Sequence, residues 1–146
     1  MKGFEAQQVY KDASKLMTLA YEAQFCMTAA DRIVYGNDFK QDARRLVALF
    51  VLAWGDYTRR LDLIDEFIGT LSNIQVLFRW MNEHNIIKEP KSIKKKDPET
   101  EAKNPYCIKN EIADAIGRID EGINKWRRKT EGMKYPDAGA FRLIKD

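Results

Sequence analysis

A single histidine, His84, and two distant cysteines, Cys26 and Cys107, leave this 146-residue chain short of soft metal ligands. No cluster stands at zinc-ligand spacing, so a metal site would have to be built largely from carboxylates. Carboxylates do gather on two stretches, Asp62, Asp65 and Glu66, then Glu111, Asp114, Asp120 and Glu121. A di-iron bundle needs Glu-x-x-His on facing helices, whereas the residue three before His84 is Met81. Solvated carboxylates are therefore expected, with no metal and no other cofactor. Glycine never forms a phosphate-cradling loop, and there is no nucleophile elbow. Cys26 has no histidine near it in sequence to act as a base. The chain reads as a non-enzyme, with no catalytic residue assigned.

Long apolar runs are missing as well. The most apolar stretch, LVALFVLAW (46–54), is only nine residues long, far short of a membrane span. The opening MKGFEAQQVYKDA lacks an apolar signal segment, which makes the cytoplasm the expected location and the two cysteines reduced thiols. Proline is confined to four positions, three of them within residues 88–105.

What is present is helical period. Apolar residues at 61, 63, 64, 67, 68, 71, 74, 77, 78 and 81 step by threes and fours without a proline. They predict an amphipathic helix of roughly 35 Å over 60–85. A first helix is expected over 6–27, with Val9, Ala13, Leu16, Met17, Ala20 and Ala23 inward and Lys11, Asp12, Lys15 and Glu22 on the wet side. YGND (35–38) reads as a turn, with Asn37 or Asp38 capping a second helix over 38–54. In that helix Phe39, Ala43, Leu46, Val47, Phe50 and Val51 face inward, joined by Leu49 and Leu52. Its all-round apolar second half suits either a central position or a subunit contact, and a subunit contact is expected because a four-helix bundle has no fully central helix. Thr58 or Asp56 caps the third helix, and Ile86 and Ile87 tuck back under the bundle. A fourth helix over 105–130 carries Ile108, Ile112, Ala115, Ile116, Ile119, Ile123 and Trp126 in one stripe, while Gly117 and Gly122 suggest close packing. The fold class is all-α, an antiparallel up-down four-helix bundle in one domain spanning 1–146.

Residues 88–105, with six lysines and three prolines, form a long loop between helices three and four, either a tolerated insertion or a binding loop. The tail, 132–146, either docks or stays loose. Charge is uneven: residues 1–87 hold 10 Lys/Arg against 11 Asp/Glu, and residues 88–146 hold 15 against 11. The basic second half hints at an acidic partner such as nucleic acid. Candidate phosphate contacts are Arg44 and Arg45 on helix two, Arg79 on helix three, and Arg118, Lys125, Arg127, Arg128 and Lys129 on helix four. Lys94, Lys95 and Lys96 in the loop complete the set. Asp114–Arg118, Glu121–Lys125 and Asp42–Arg45 have the spacing to neutralise some of it.

Three segments carry a resemblance: VYKDASKLMTLAY, then YGNDFKQDARRLVALFVLAW, then LDLIDEFIGTLSNIQVLFRWMNEHNII paired with EIADAIGRIDEGINKW. Together they resemble the accessory variability determinants of diversity-generating retroelements, themselves similar to proteins encoded in ribosomal RNA intervening sequences. The resemblance covers about 6–87 and 108–128. It implies a homopentamer of four-helix protomers with a basic surface, associated with a reverse transcriptase and its template-region RNA. Arg44 and Arg45 (QDARRL) resemble the family's basic pair before an apolar run, Arg79 (LFRW) resembles its ending of helix three, and Trp126 resembles its closing tryptophan. The family usually joins helices three and four by a short turn, and its members are often more basic than the net +3 here. The alternatives are a structural homo-oligomeric bundle without a nucleic-acid ligand and a carboxylate metal enzyme.

Overall fold

A computed structural model describes residues 4–88 and 107–145, with side chains from 5 to 88 and from 107 to 132. Four helices form an antiparallel bundle: α1 (Phe4–Ala23), α2 (Asn37–Gly55), α3 (Arg60–Glu83) and α4 (Ile108–Lys145). α1 packs against α2 and α4, and α3 packs against the same two, so the helices sit at the corners of a square. A long loop separates α3 from α4; its residues 89–106, including Lys94, Lys95 and Lys96, lie outside the described residues.

The core follows the expected stripes on α3 and α4. Leu63, Ile64, Phe67, Leu71, Ile74, Phe78 and Met81 are buried on α3, with Thr70 among them. All seven predicted α4 residues, from Ile108 to Trp126, are buried too. α3 ends where Asn85 enters the left-handed region (φ 53°). There Ile86 N–H donates to Met81 O and Asn85 N–H to Asn82 O, the paired bonds of a Schellman cap. That reversal sends Ile86 and Ile87 into the core as expected.

Elsewhere the bundle departs from the pattern reading. The first helix stops at Ala23 and tightens into a 3₁₀ turn, Gln24–Cys26. Met17 is 39% exposed, whereas Asp12, expected in water, is 5% exposed. Asp12 is held beneath the α1/α4 surface, with Oδ1 accepting from Gln8 Nε2 at 3.2 Å.

YGND is not a turn. A helical turn, Ala29–Asp31, and a π-helical segment, Arg32–Gly36, run straight into α2. The cap is Thr28, whose hydroxyl accepts from Asp31 N–H at 3.2 Å. Asn37 caps nothing, because its amide donates back to the Ile33 carbonyl. Gly36 is buried against the Met27 sulfur, where a Cβ would come within 3.3 Å. The glycine thus serves close approach rather than chain reversal.

On α2, Val51 and Leu52 are half exposed, contrary to expectation, while Ala53 is buried. At 100° per residue, Leu49, Phe50 and Ala53 take up the arc facing α1 and α3, and positions 51 and 52 fall outside it. α4 is described from Ile108, the expected start at Pro105 lying outside the described residues, and it continues past the expected end at Thr130 to Lys145. Gly122 meets α1 closely, since a Cβ there would lie 2.8 Å from Val9 Cγ2; Gly117 has open space.

Candidate nucleic-acid interface

The described cations divide into a paired group and an unpaired one. Arg118 lies 3.0 Å from Asp114 and Lys125 3.1 Å from Glu121, each four residues along one helix. Lys129 reaches across to Glu5 on α1 at 2.9 Å and holds that carboxyl below its ordinary value. Arg127 bridges Asp65 on α3 (2.7 Å) and Glu131 (2.5 Å), and these carboxylates raise its pKa above the usual guanidinium range. Arg45 leans onto α3, 3.3 Å from the Thr70 hydroxyl and 3.6 Å from Glu66. The ridge of α4 cations is thus largely neutralised, and Lys129 and Arg127 tie α4 to α1 and α3.

Arg44, Arg79 and Arg128 are exposed and form no ion pair among the described residues. They do not share a face. Arg44 lines the groove between α1 and α2, beside Met17 and Tyr21. Arg79 lines the groove between α3 and α4, a hollow of about 330 Å³ with Phe78, Ala113 and Ile116. These grooves are opposite edges of the square, so Arg44 is parted from Arg79 by the width of the bundle, while its neighbour Arg45 lies against α3.

Sequence reasoning missed Lys40. It stands one turn before Arg44 on the same ridge and, like it, carries no ion pair among the described residues. The carboxylates of α2 fall elsewhere: the charges acting on Asp42 are Asp38 and Arg45, on the α3-facing ridge. Tyr21 and Phe25 were also missed as surface groups. They are 55% and 63% exposed and meet edge to face at 5.4 Å between centroids. The spacing of 17, 21 and 25 was visible, but only the packing shows that this stripe points outward.

Trp126 belongs to the core, whereas Tyr57 and Trp80 are exposed. His84 stacks on Trp80 at 3.7 Å, with Nδ1 3.0 Å from the Trp80 carbonyl oxygen, so the tautomer bearing Nδ1–H donates there. Among the described residues no three His, Cys, Asp or Glu side chains converge on a metal-sized site, and no helix is long and apolar enough to cross a membrane. Comparison with family models, curated proteins and solved structures finds no match.

Proposed function

We propose that the chain is a non-catalytic accessory protein of a diversity-generating retroelement. In this reading it acts in the cytoplasm as a homo-oligomer, a pentamer by the family's pattern, and binds a reverse transcriptase and template-region RNA to support mutagenic cDNA synthesis. The observation that carries it is that Arg44, Arg79 and Arg128 keep their guanidinium groups clear of ion pairs among the described residues. Cations free of carboxylates are what phosphate contacts require. Their placement on several faces suits an RNA that wraps the protein more than one docked at a single point. The helical segments that resemble the family support the same reading. Val51, Leu52, Val76 and Trp80 supply apolar surface for a subunit or the polymerase to cover.

The alternative, a structural homo-oligomer with no nucleic-acid ligand, draws support from the internal pairing of Arg118, Lys125, Arg127 and Lys129. Retention of template-region RNA at rising salt separates the two. Wild type should lose RNA steeply as salt rises, and Arg44→Glu/Arg79→Glu/Arg128→Glu should bind weakly at every salt. Equal retention by both proteins, or none by either, favours the alternative. A reverse-transcriptase gene and paired template and variable repeats beside this gene would support the retroelement assignment independently; their absence would sink it.

A further inference from the structure

The α1/α2 groove combines features absent from the other candidate surfaces. Its hollow, about 310 Å³, is lined by Met17, Tyr21, Asn37, Lys40, Gln41 and Arg44. Two cations on consecutive turns of α2 form one wall, and α1 supplies an apolar and aromatic wall opposite. At the open end Phe25 extends the aromatic surface, with the Arg32 guanidinium 5.8 Å from its ring centroid. Arg32 is anchored there by donating Nε–H to the Gln24 carbonyl at 3.0 Å, so the largely exposed Phe25 ring has a fixed positive charge beside it.

A duplex could use Lys40 and Arg44 through its phosphates, but its stacked bases would leave the rings of Tyr21 and Phe25 without a partner. A single strand can follow the cations with its backbone and lay unpaired bases on the rings. Resting on the proposed RNA binding, we infer that the α1/α2 groove is a binding site for single-stranded RNA, with Lys40 and Arg44 holding phosphates and Tyr21 and Phe25 stacking unpaired bases. Asn37 and Gln41 bring amides to the same wall. The charge of the groove decides against an apolar protein segment as its occupant: two cations without carboxylates would have to be desolvated without compensation.

The test uses the full chain and a labelled RNA of about 15 nucleotides without self-complementarity, free or as a blunt duplex with its complement, followed by fluorescence anisotropy. Wild type should prefer the single strand. Tyr21→Ala and Phe25→Ala should each weaken single-strand binding about tenfold and leave duplex binding nearly unchanged. Lys40→Gln/Arg44→Gln should weaken both and flatten the salt dependence. All four positions lie at the surface or its edge, and circular dichroism checks that each variant keeps its helices. Equal loss of duplex and single-strand binding in the ring variants would overturn the stacking role. So would unchanged RNA binding accompanied by a fall in oligomer mass, which would assign the rings to a subunit contact. If duplex and single strand bind wild type alike and the arginine charge reversals still abolish binding, the inference fails while the accessory reading stands. If neither RNA binds, both fall.

Discussion

Arg60 offers the sharpest test of what holds the bundle together. Its Nε–H donates to the Ala53 carbonyl and its Nη2 to the Trp54 carbonyl, both at 2.9 Å. These acceptors belong to the last turn of α2, where helix carbonyls have no intrahelical donor. The guanidinium also sits 5.1 Å from the Tyr57 ring centroid, 5.4 Å from Trp126 and 5.6 Å from Trp54. Burial pushes its pKa below the usual range, yet it remains a cation with no ion pair among the described residues. Arg60→Met keeps the stem and removes the donors. Hydrogen bonds from a charged group contribute about 1.5–3 kcal/mol each and the aromatic contacts about 0.5–2 kcal/mol. Discounted for partial solvent access, the loss should be about 2–4 kcal/mol. With a urea slope of about 2 kcal/mol/M, the unfolding midpoint should fall by about 1–2 M. Trp54 and Trp126 report the transition directly by fluorescence. Arg60→Lys should recover less than half, because an ammonium cannot match the forked geometry. An unchanged midpoint in Arg60→Met, or full recovery by lysine, would refute the reasoning.

Gly122→Ala drives a Cβ to 2.8 Å from Val9 Cγ2; overpacking of about 1–3 kcal/mol should outweigh a helix gain of about 1 kcal/mol. Gly117→Ala, in open space, should instead stabilise by up to about 1 kcal/mol, and Val9→Ala should partly rescue Gly122→Ala in denaturant melts. Thr28→Ala removes the cap ahead of the π-helical segment and should cost about 1 kcal/mol in thermal unfolding, with Thr28→Ser close to wild type. Lys129 holds Glu5 below its ordinary pKa of 4.5, so the pair's contribution is present above that value and is lost as pH falls through the lowered one. Lys129→Met should therefore flatten the loss of stability on acidification, measured by urea melts from neutral pH downward.

The stripes of α3 and α4 were readable from spacing alone because each helix has one apolar arc and one charged arc. Ile112, Ile119 and Ile123 could face nowhere but the core. α2 was harder. From Leu46 to Trp54 nearly every side chain is apolar, so period carries no direction, and only contact with α1 and α3 turned Phe50 inward and Val51 outward. Gly36 and Asn37 carry the composition of a turn. Their helical course depends on Met27 packing against Gly36 and on the cap that Thr28 provides, neither of which local propensity expresses.

The same division applies to the candidate site. The sequence named the arginines and lysines, and the spacings 114–118 and 121–125 announced two of their ion pairs. The cross-helix pairs Arg127–Asp65, Lys129–Glu5 and Arg45–Glu66 join residues far apart in the chain, so only the packed bundle could show which cations are consumed. Composition and period determined that this chain folds as four amphipathic helices, because burying one apolar arc per helix has few solutions. Tertiary structure decided which charges remain unpaired and which aromatics stay in water. Those outcomes depend on the rotation of each helix against its neighbours, and no single stretch of sequence contains it.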